Sequence, residues 1–541
     1  MQEHRNGLMP GRRGVLAATG AAGLLMLSPR AGRAQAGRAA NRNTLKAVVH
    51  ADLKILDPVW TTAYITQRHS LLVYDTLYAV DSKFEPKPQM VEGHTLSPDG
   101  LTYVFTLRPG LKFHDGQPVR AADCVASVKR WAARDNMGQI LLGFLDRMEV
   151  ADERSFRIVL KEPFGLLLDA LGKSTSAPYI MPERLANTPP TEQVTDATGS
   201  GPFIFKRDEW RPGNRAVYVR NPDYVPRAEP PDYLAGGKIP KMERIEWIYI
   251  PDNNTVLSAL MAGEIDYFEA PPLDFIGLLK DTPDVTVLNI DTLGVQGLIR
   301  PNTLYPPFDK FEGRQALLHT IDQAEYMGAV VGNPDLFLPF CGAYFLCSSA
   351  NDTAVGSEPL RKPDYAKARQ MLASAGYKAG DKMVVLQPTD RPQYSAATTV
   401  LASGLRKAGV NVDLQAADWS TITARRARRD PPDKGGWNLF ITTHGGPDVT
   451  APISNVWFNS KCERANPGWA CDPELEALNA AWAREPDRAK RHAMIEGIQR
   501  RAYTSVPYVP FGQFFQPIAF RKNVKGVLAA GQPVYWNIEK S

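Results

Sequence analysis

The sequence is short of the motifs that mark common catalytic centres. It holds no phosphate-binding loop, no G-x-G-x-x-G, no G-x-S-x-G elbow, no H-E-x-x-H and no C-x-x-C, which removes the usual grounds for reading it as a nucleotide-using enzyme, an α/β hydrolase, a zinc protease or a dithiol oxidoreductase. Its eight histidines are scattered, with no i, i+4 pair to hold a metal on one helix face, so neither metal nor cofactor is expected. Strong charge of one sign is also missing. Residues 1–36 carry five Arg and one Glu, and without them the net charge of +5 falls to +1, which gives no reason to expect nucleic acid as a partner. Beyond that segment no apolar run approaches the roughly 20 residues that cross a bilayer.

The N-terminal segment itself is informative. Arg5, Arg12 and Arg13 precede an uncharged Ala/Gly/Leu-rich run from Gly14 to Ser28, which leads to Ala34-Gln35-Ala36. This pattern predicts an export signal over residues 1–36, cleaved before Gly37. The paired arginines of GRRGVLA partly match the twin-arginine signal, which favours that export route. No cysteine precedes Cys124, so no lipid anchor is expected, and the mature protein is expected to be free in the periplasm.

Cysteine is sparse, and its placement matters in an oxidising compartment. Cys341 and Cys347 flank GAYFL, and Cys462 and Cys471 flank ERANPGWA, so each pair could close a short loop. Such closures contribute about 2–3 kcal/mol each in the chain-entropy view. The alternative is five reduced thiols. Cys124 is expected to be a core thiol, because Ala121, Cys124, Val125, Val128 and Ala132 share one helical face.

A chain of 541 residues exceeds one hydrophobic core and predicts at least two lobes. From Leu45 it reads as a short strand, and Leu56-Asp57-Pro58 as a strand-ending turn, since proline keeps the residue before it extended. Leu101, Tyr103, Phe105 and Leu107 alternate with Thr102, Val104 and Thr106 as a half-buried strand requires, and Pro109-Gly110 makes a hairpin turn. Phe156, Ile158 and Leu160 share the face of another strand. Beyond Gly199, strands such as RIEWIYI alternate with helices such as NNTVLSALMAG, where Val256, Leu257, Leu260 and Met261 are expected inward and Gly263 ends the helix. That alternation predicts α/β lobes. Pro271-Pro272 is expected to stiffen a crossing into the second lobe, and VPYVPFGQ to return to the first. His114, beside an Asp-Gly turn, is expected to be structural, Trp437 to begin a buried strand, and RRARR at 425–429 to be the solvated end of a helix.

At several points these segments resemble one family. LDPVWTTAY, SPDGLTYVFTLRPGLKFHDGQPVRAADCVASVKRW, GSGPFIF, LMAGEID, RQALLHTIDQAEYM, ARQMLASAGY and SVPYVPFGQ follow one another as in the family 5 extracellular solute-binding proteins of ABC importers, which include dipeptide, oligopeptide, nickel and opine binders. The resemblance implies a two-lobed α/β periplasmic binding protein (type II, cluster C): lobe I at 37–78, 198–268 and 506–541, a subdomain inserted at 79–197, and lobe II at 269–505. It implies a monomer that closes on a small ligand by hinge motion and delivers it to permease subunits in the inner membrane, without catalysis. LQPTDRPQY resembles the segment in which dipeptide binders present an arginine to the ligand carboxylate, which points to Arg391. THGGPDVTAP stands where those binders hold the ligand ammonium, so Asp448 is the nearest candidate, shifted by one position, with His444 beside it. Trp60, Thr61 and Tyr64 follow LDP where the family's first lobe meets ligand, and Trp419 resembles a tryptophan lining the other wall. The cargo expected is a dipeptide, oligopeptide or similar zwitterion. A metal chelate, opine or oligosaccharide is the alternative, and a periplasmic peptide hydrolase a remoter one.

Overall fold

A computed structural model describes residues 43–541. The expected export signal lies outside the described residues. Three sheets organise the chain. The first has seven strands in the order Val285–Leu288, Ile518–Arg521, Tyr267–Phe268, Thr44–Val48, Arg244–Ile248, Arg215–Arg220 and Phe203–Phe205. Thr44–Val48 runs parallel to both of its neighbours, with Ala47 opposite Trp247 and Tyr267. Leu45, Ile245, Trp247, Tyr218 and Tyr535 fill the core around it.

The second sheet has five strands in the order Asn411–Ala417, Lys382–Pro388, Leu439–Gly445, Val295–Pro301 and Val509–Phe514. Of its inner strands, Lys382–Pro388 and Val295–Pro301 are buried along nearly their whole length and Leu439–Gly445 over its first four residues, as strands covered on both faces must be. Each of these two sheets carries one lobe, so the expected two-lobed α/β fold is borne out.

The third sheet is antiparallel: Val91–Leu96, Thr102–Leu107, Ser155–Leu160 and Leu145–Val150. Phe105, Leu107, Phe156, Ile158 and Leu160 are buried on one face, and they pack in one core with Cys124, Val128 and Trp131 of the helix Ala121–Ala132. At the start of that helix the Arg120 backbone N–H donates to the Asp123 carboxylate at 2.7 Å, one half of a capping box. Cys124 is a buried free thiol. His114 is also structural: its ring accepts from the Gly199 backbone N–H at 3.3 Å and meets the Gly201 carbonyl at 3.1 Å, and burial holds its pKa down to about 4.

Several expectations need correction. Val285–Leu288 pairs with Ile518–Arg521 in the first sheet, and Val509–Phe514 pairs with Val295–Pro301 in the second. The chain therefore crosses between sheets at 289–294 and 515–517, not after 268 and before 506. After Pro271-Pro272 the helix Ile276–Asp281 buries Ile276 and Leu279 and turns the chain back to its own lobe. In the helix Asn253–Ala262, Ala259 takes the buried position and Met261 is 45% exposed, although Gly263 ends the helix with φ +76° as expected. The RRARR run is only partly solvated. Arg425 donates to the carbonyls of Gly435 and Gly436, and the Arg426 guanidinium lies 5.4 Å from the ring centroids of Trp419, Phe440 and Trp457. The sulfurs of Cys341 and Cys347 stand at 2.19 Å, and those of Cys462 and Cys471 at 1.99 Å, both bonding distances.

One ion pair fastens the inserted sheet and its helix to lobe I. Asp57, in the LDP turn, accepts from Arg130 Nη1 at 3.0 Å and Nη2 at 2.7 Å, and also from the backbone N–H groups of Val59 and Val194. Arg130 also donates to the carbonyls of Thr188 and Glu192. Both side chains are all but fully buried. Removing one partner leaves a buried, uncompensated charge. Arg130→Met is expected to lower unfolding stability by about 3–5 kcal/mol in urea titrations; a loss within about 0.5 kcal/mol, as at an ordinary surface position, would show that the pair carries no such role.

Candidate functional site

A cleft of about 500 Å³ opens between the two large lobes. On the lobe II side it is walled by Thr443, His444 and Gly445, by Val295 and Tyr394, and by Ser454 and Val456. Thr443–Gly445 is the C-terminal end of a strand parallel to Lys382–Pro388, and Val295 opens the strand that follows the crossing at 289–294. Ligands of open α/β sheets bind beyond the carboxyl ends of parallel strands, where the loops are free to carry specific side chains. The loops after Lys382–Pro388 and Asn411–Ala417 leave from the same edge and begin the helices Pro392–Lys407 and Trp419–Arg426.

On the opposite side stand Thr62, Tyr64 and Gln67 from the segment after the LDP turn, then Arg134, Asp135 and Lys173 from the inserted subdomain. Asp57 shapes that segment, since its carboxylate holds the Val59 N–H and its carbonyl the Trp60 N–H. Thr61 finishes the turn: its hydroxyl accepts from Ala63, and its carbonyl accepts from Gln67. The helix Tyr64–Val73 then starts with Tyr64 facing the other lobe. The Tyr64 hydroxyl lies 2.7 Å from where a β-carbon on Gly445 would stand. A side chain at 445 would have to displace that hydroxyl.

The sequence-derived candidates divide. Tyr64 and His444 line the cleft from opposite lobes. Trp60 lies beside it, under the Arg134 guanidinium at 5.6 Å from the ring centroid. Trp419 lies one layer back: its ring meets Tyr394 edge-on at 4.9 Å, and the Tyr394 hydroxyl bonds Thr443 at 2.8 Å. Arg391 is exposed at the N-cap of Pro392–Lys407 and is not among the residues lining the cleft. Asp448 falls in the short helix Gly446–Val449, and its side chain lies outside the described residues. Arg134, Lys173, Tyr394 and Thr443 were not anticipated. Tyr394 alone had a signal, two residues beyond Pro392 in the DRPQY segment.

A second cavity of about 170 Å³ continues the first and shares Met137, Lys173, Thr175 and Ser454 with it. Burial pushes the Asp169 carboxyl up there, opposed by Arg491 and Arg488. Beyond it the lobes touch again. The Gly165 N–H donates to the Ala483 carbonyl at 3.2 Å, Arg491 Nη1 donates to the Gly165 carbonyl at 2.6 Å, and Arg484 pairs with Glu162 at 3.3 Å. A β-carbon on Gly165 would lie 2.1 Å from the Glu485 carbonyl oxygen.

This architecture defines a two-lobed binding protein of the solute-capturing kind. The chain belongs to the bacterial extracellular solute-binding proteins, family 5, which it matches over residues 85–466. It is 40% identical over 534 residues, covering 98% of this chain and 99% of the relative, to a probable peptide ABC transporter periplasmic-binding protein, y4tO, of Sinorhizobium fredii. A dipeptide-binding protein from Pseudoalteromonas sp. SM9913 in complex with Met-Leu superposes with a TM-score of 0.74 at 22% identity, covering 92% of this chain and all of that one. AgaA from A. tumefaciens R10 in complex with agropinic acid also gives 0.74, at 22% identity over 92% of this chain and 99% of that one.

Since no side chain larger than hydrogen fits at Gly165 without separating the lobes, Gly165→Val is expected to open the protein. Small-angle scattering should show a radius of gyration clearly above that of the wild type, for which a compact chain of this length gives roughly 23 Å, with an unchanged circular dichroism spectrum. Equal radii would mean that this contact does not hold the lobes together.

Proposed function

We propose that this chain is the exported, periplasmic substrate-binding component of an ABC importer, acting as a monomer. It closes its lobes on a small peptide or similar zwitterion and presents the closed form to permease subunits in the inner membrane. The observation that carries this reading is the cleft itself, which draws its walls from both lobes and lies at the carboxyl ends of parallel strands. A ligand that touches both walls only when they are together favours the closed form by its differential affinity, and shape then reports occupancy to the permease. Hinge closure of periplasmic binding proteins is a general precedent for this motion. In this reading Tyr64 and His444 meet the ligand, while Trp60 and Trp419 support the two walls.

The family and the peptide-transport name of the y4tO relative support a peptide cargo. A non-peptide acid is the second reading, favoured by a cleft in which Asp135, the one lining carboxylate among the described residues, is already engaged. Thermal unfolding against dipeptides, longer peptides, opines, sugars and nickel chelates separates the two. A ligand at a hundredfold over its Kd should add about 2.7 kcal/mol of stability, with the peptides recovered unhydrolysed. No shift with any class, or turnover of the peptides, would sink the binding role.

Export through the twin-arginine route and closure of both cysteine pairs belong to the same proposal. Protein recovered from the periplasm should begin at Gly37 and be lighter than the reduced chain by the hydrogens of two disulfides, and Arg12→Lys with Arg13→Lys should block export. An intact mass matching five free thiols, or export unaffected by the double change, would contradict it.

A further inference from the structure

The charges of the cleft are uneven in a way that bears on its cargo. Arg134, Asp135 and Lys173 come from the inserted subdomain, and Asp135 is the one carboxylate among the described lining residues. Asp135 is fully occupied. It accepts from the Met137 N–H at 2.8 Å and the Gly138 N–H at 3.1 Å as the N-cap of Asn136–Phe144, and from Lys173 Nζ at 2.6 Å. Lys173 and Asp135 therefore cancel. Arg134 remains, with no ion pair among the described residues; its guanidinium is oriented by the Trp60 ring alone, and it is exposed, so a ligand entering the cleft reaches it. Among the described residues, the lobe II wall faces it with hydroxyl and imidazole groups and no lining carboxylate.

We infer that Arg134 is the anion-recognition residue of the cleft and that the cargo is a small solute of net negative charge, held through a carboxylate by the inserted subdomain. The inference rests on the cleft being the ligand site. Closing the lobes over a solute with no anionic group would remove water from Arg134 and give it nothing in exchange, whereas a carboxylate matches the guanidinium fork through two parallel hydrogen bonds. A zwitterion could offer that carboxylate, but its ammonium would meet no free carboxylate among the described lining residues, which favours a solute of net negative charge. The acidic end of the ligand then meets lobe I, the reverse of the orientation in which Arg391 of lobe II would hold it.

Isothermal titration of the mature protein tests this with Glu-Glu, Ala-Ala and Lys-Lys as peptide probes and glutarate and citrate as non-peptide acids. Glu-Glu, or an acid of the second group, is expected to bind at least tenfold more tightly than Lys-Lys. Arg134→Gln should remove that margin and Arg134→Lys should keep part of it, both with the wild-type melting temperature, while Arg391→Ala leaves it intact. Binding of the non-peptide acids alone would support the anion site and discard the peptide cargo. Preference for Ala-Ala or Lys-Lys, undiminished acid binding in Arg134→Gln, or no binding of any acidic probe would overturn the inference.

Discussion

The buried pair of Asp57 and Arg130 joins three parts of the molecule that are far apart in sequence. Asp57 sets the turn that presents Trp60, Thr61 and Tyr64, and Arg130 stands on the helix Ala121–Ala132 at the heart of the inserted subdomain. Through its other donors Arg130 also holds the 188–194 segment that closes the subdomain. Arg134 follows Arg130 by four residues, just past the end of the helix, so the pair that fixes one end of that helix fixes how Arg134 meets Trp60. An ion pair this deeply buried adds little net stability over an apolar replacement, but it tolerates no alternative arrangement once one partner is in place. What it secures is register among the parts of the first wall of the cleft.

The second wall is built on different physics. Strands buried on both faces give a stiff sheet, and specificity is left to the loops at its edge. Two glycines sit where the walls come close together. At Gly445 the missing side chain admits the Tyr64 hydroxyl, and at Gly165 it allows a backbone hydrogen bond from one lobe to the other. The cavity is thus bounded by a backbone contact on the Gly165 flank and by a side-chain contact on the Gly445 flank.

Much of the framework was readable from the residues, because period-two alternation, proline turns and a glycine C-cap act locally. Phe105, Phe156 and Gly263 behave as their neighbours in sequence dictate. The lobe crossings were not readable, since an apolar strand such as Val285–Leu288 suits either sheet and only pairing with Ile518–Arg521 decides. Met261 misled because a helix face two residues wide also admits Ala259, and packing chose the smaller side chain. Of the site, aromatic residues after the LDP turn pointed to Tyr64. Arg134 gave no signal at all: its meaning depends on Trp60 beneath it and on Lys173 neutralising Asp135, relations that exist only after folding.

The most direct test of this account is a crystal structure with the tightest-binding solute. It should show the solute enclosed in the cleft between Tyr64 on one side and Thr443 and His444 on the other, with its acidic group against Arg134. A solute bound elsewhere, or gripped by one lobe while the other stands clear, would contradict the claim that the two walls form one site.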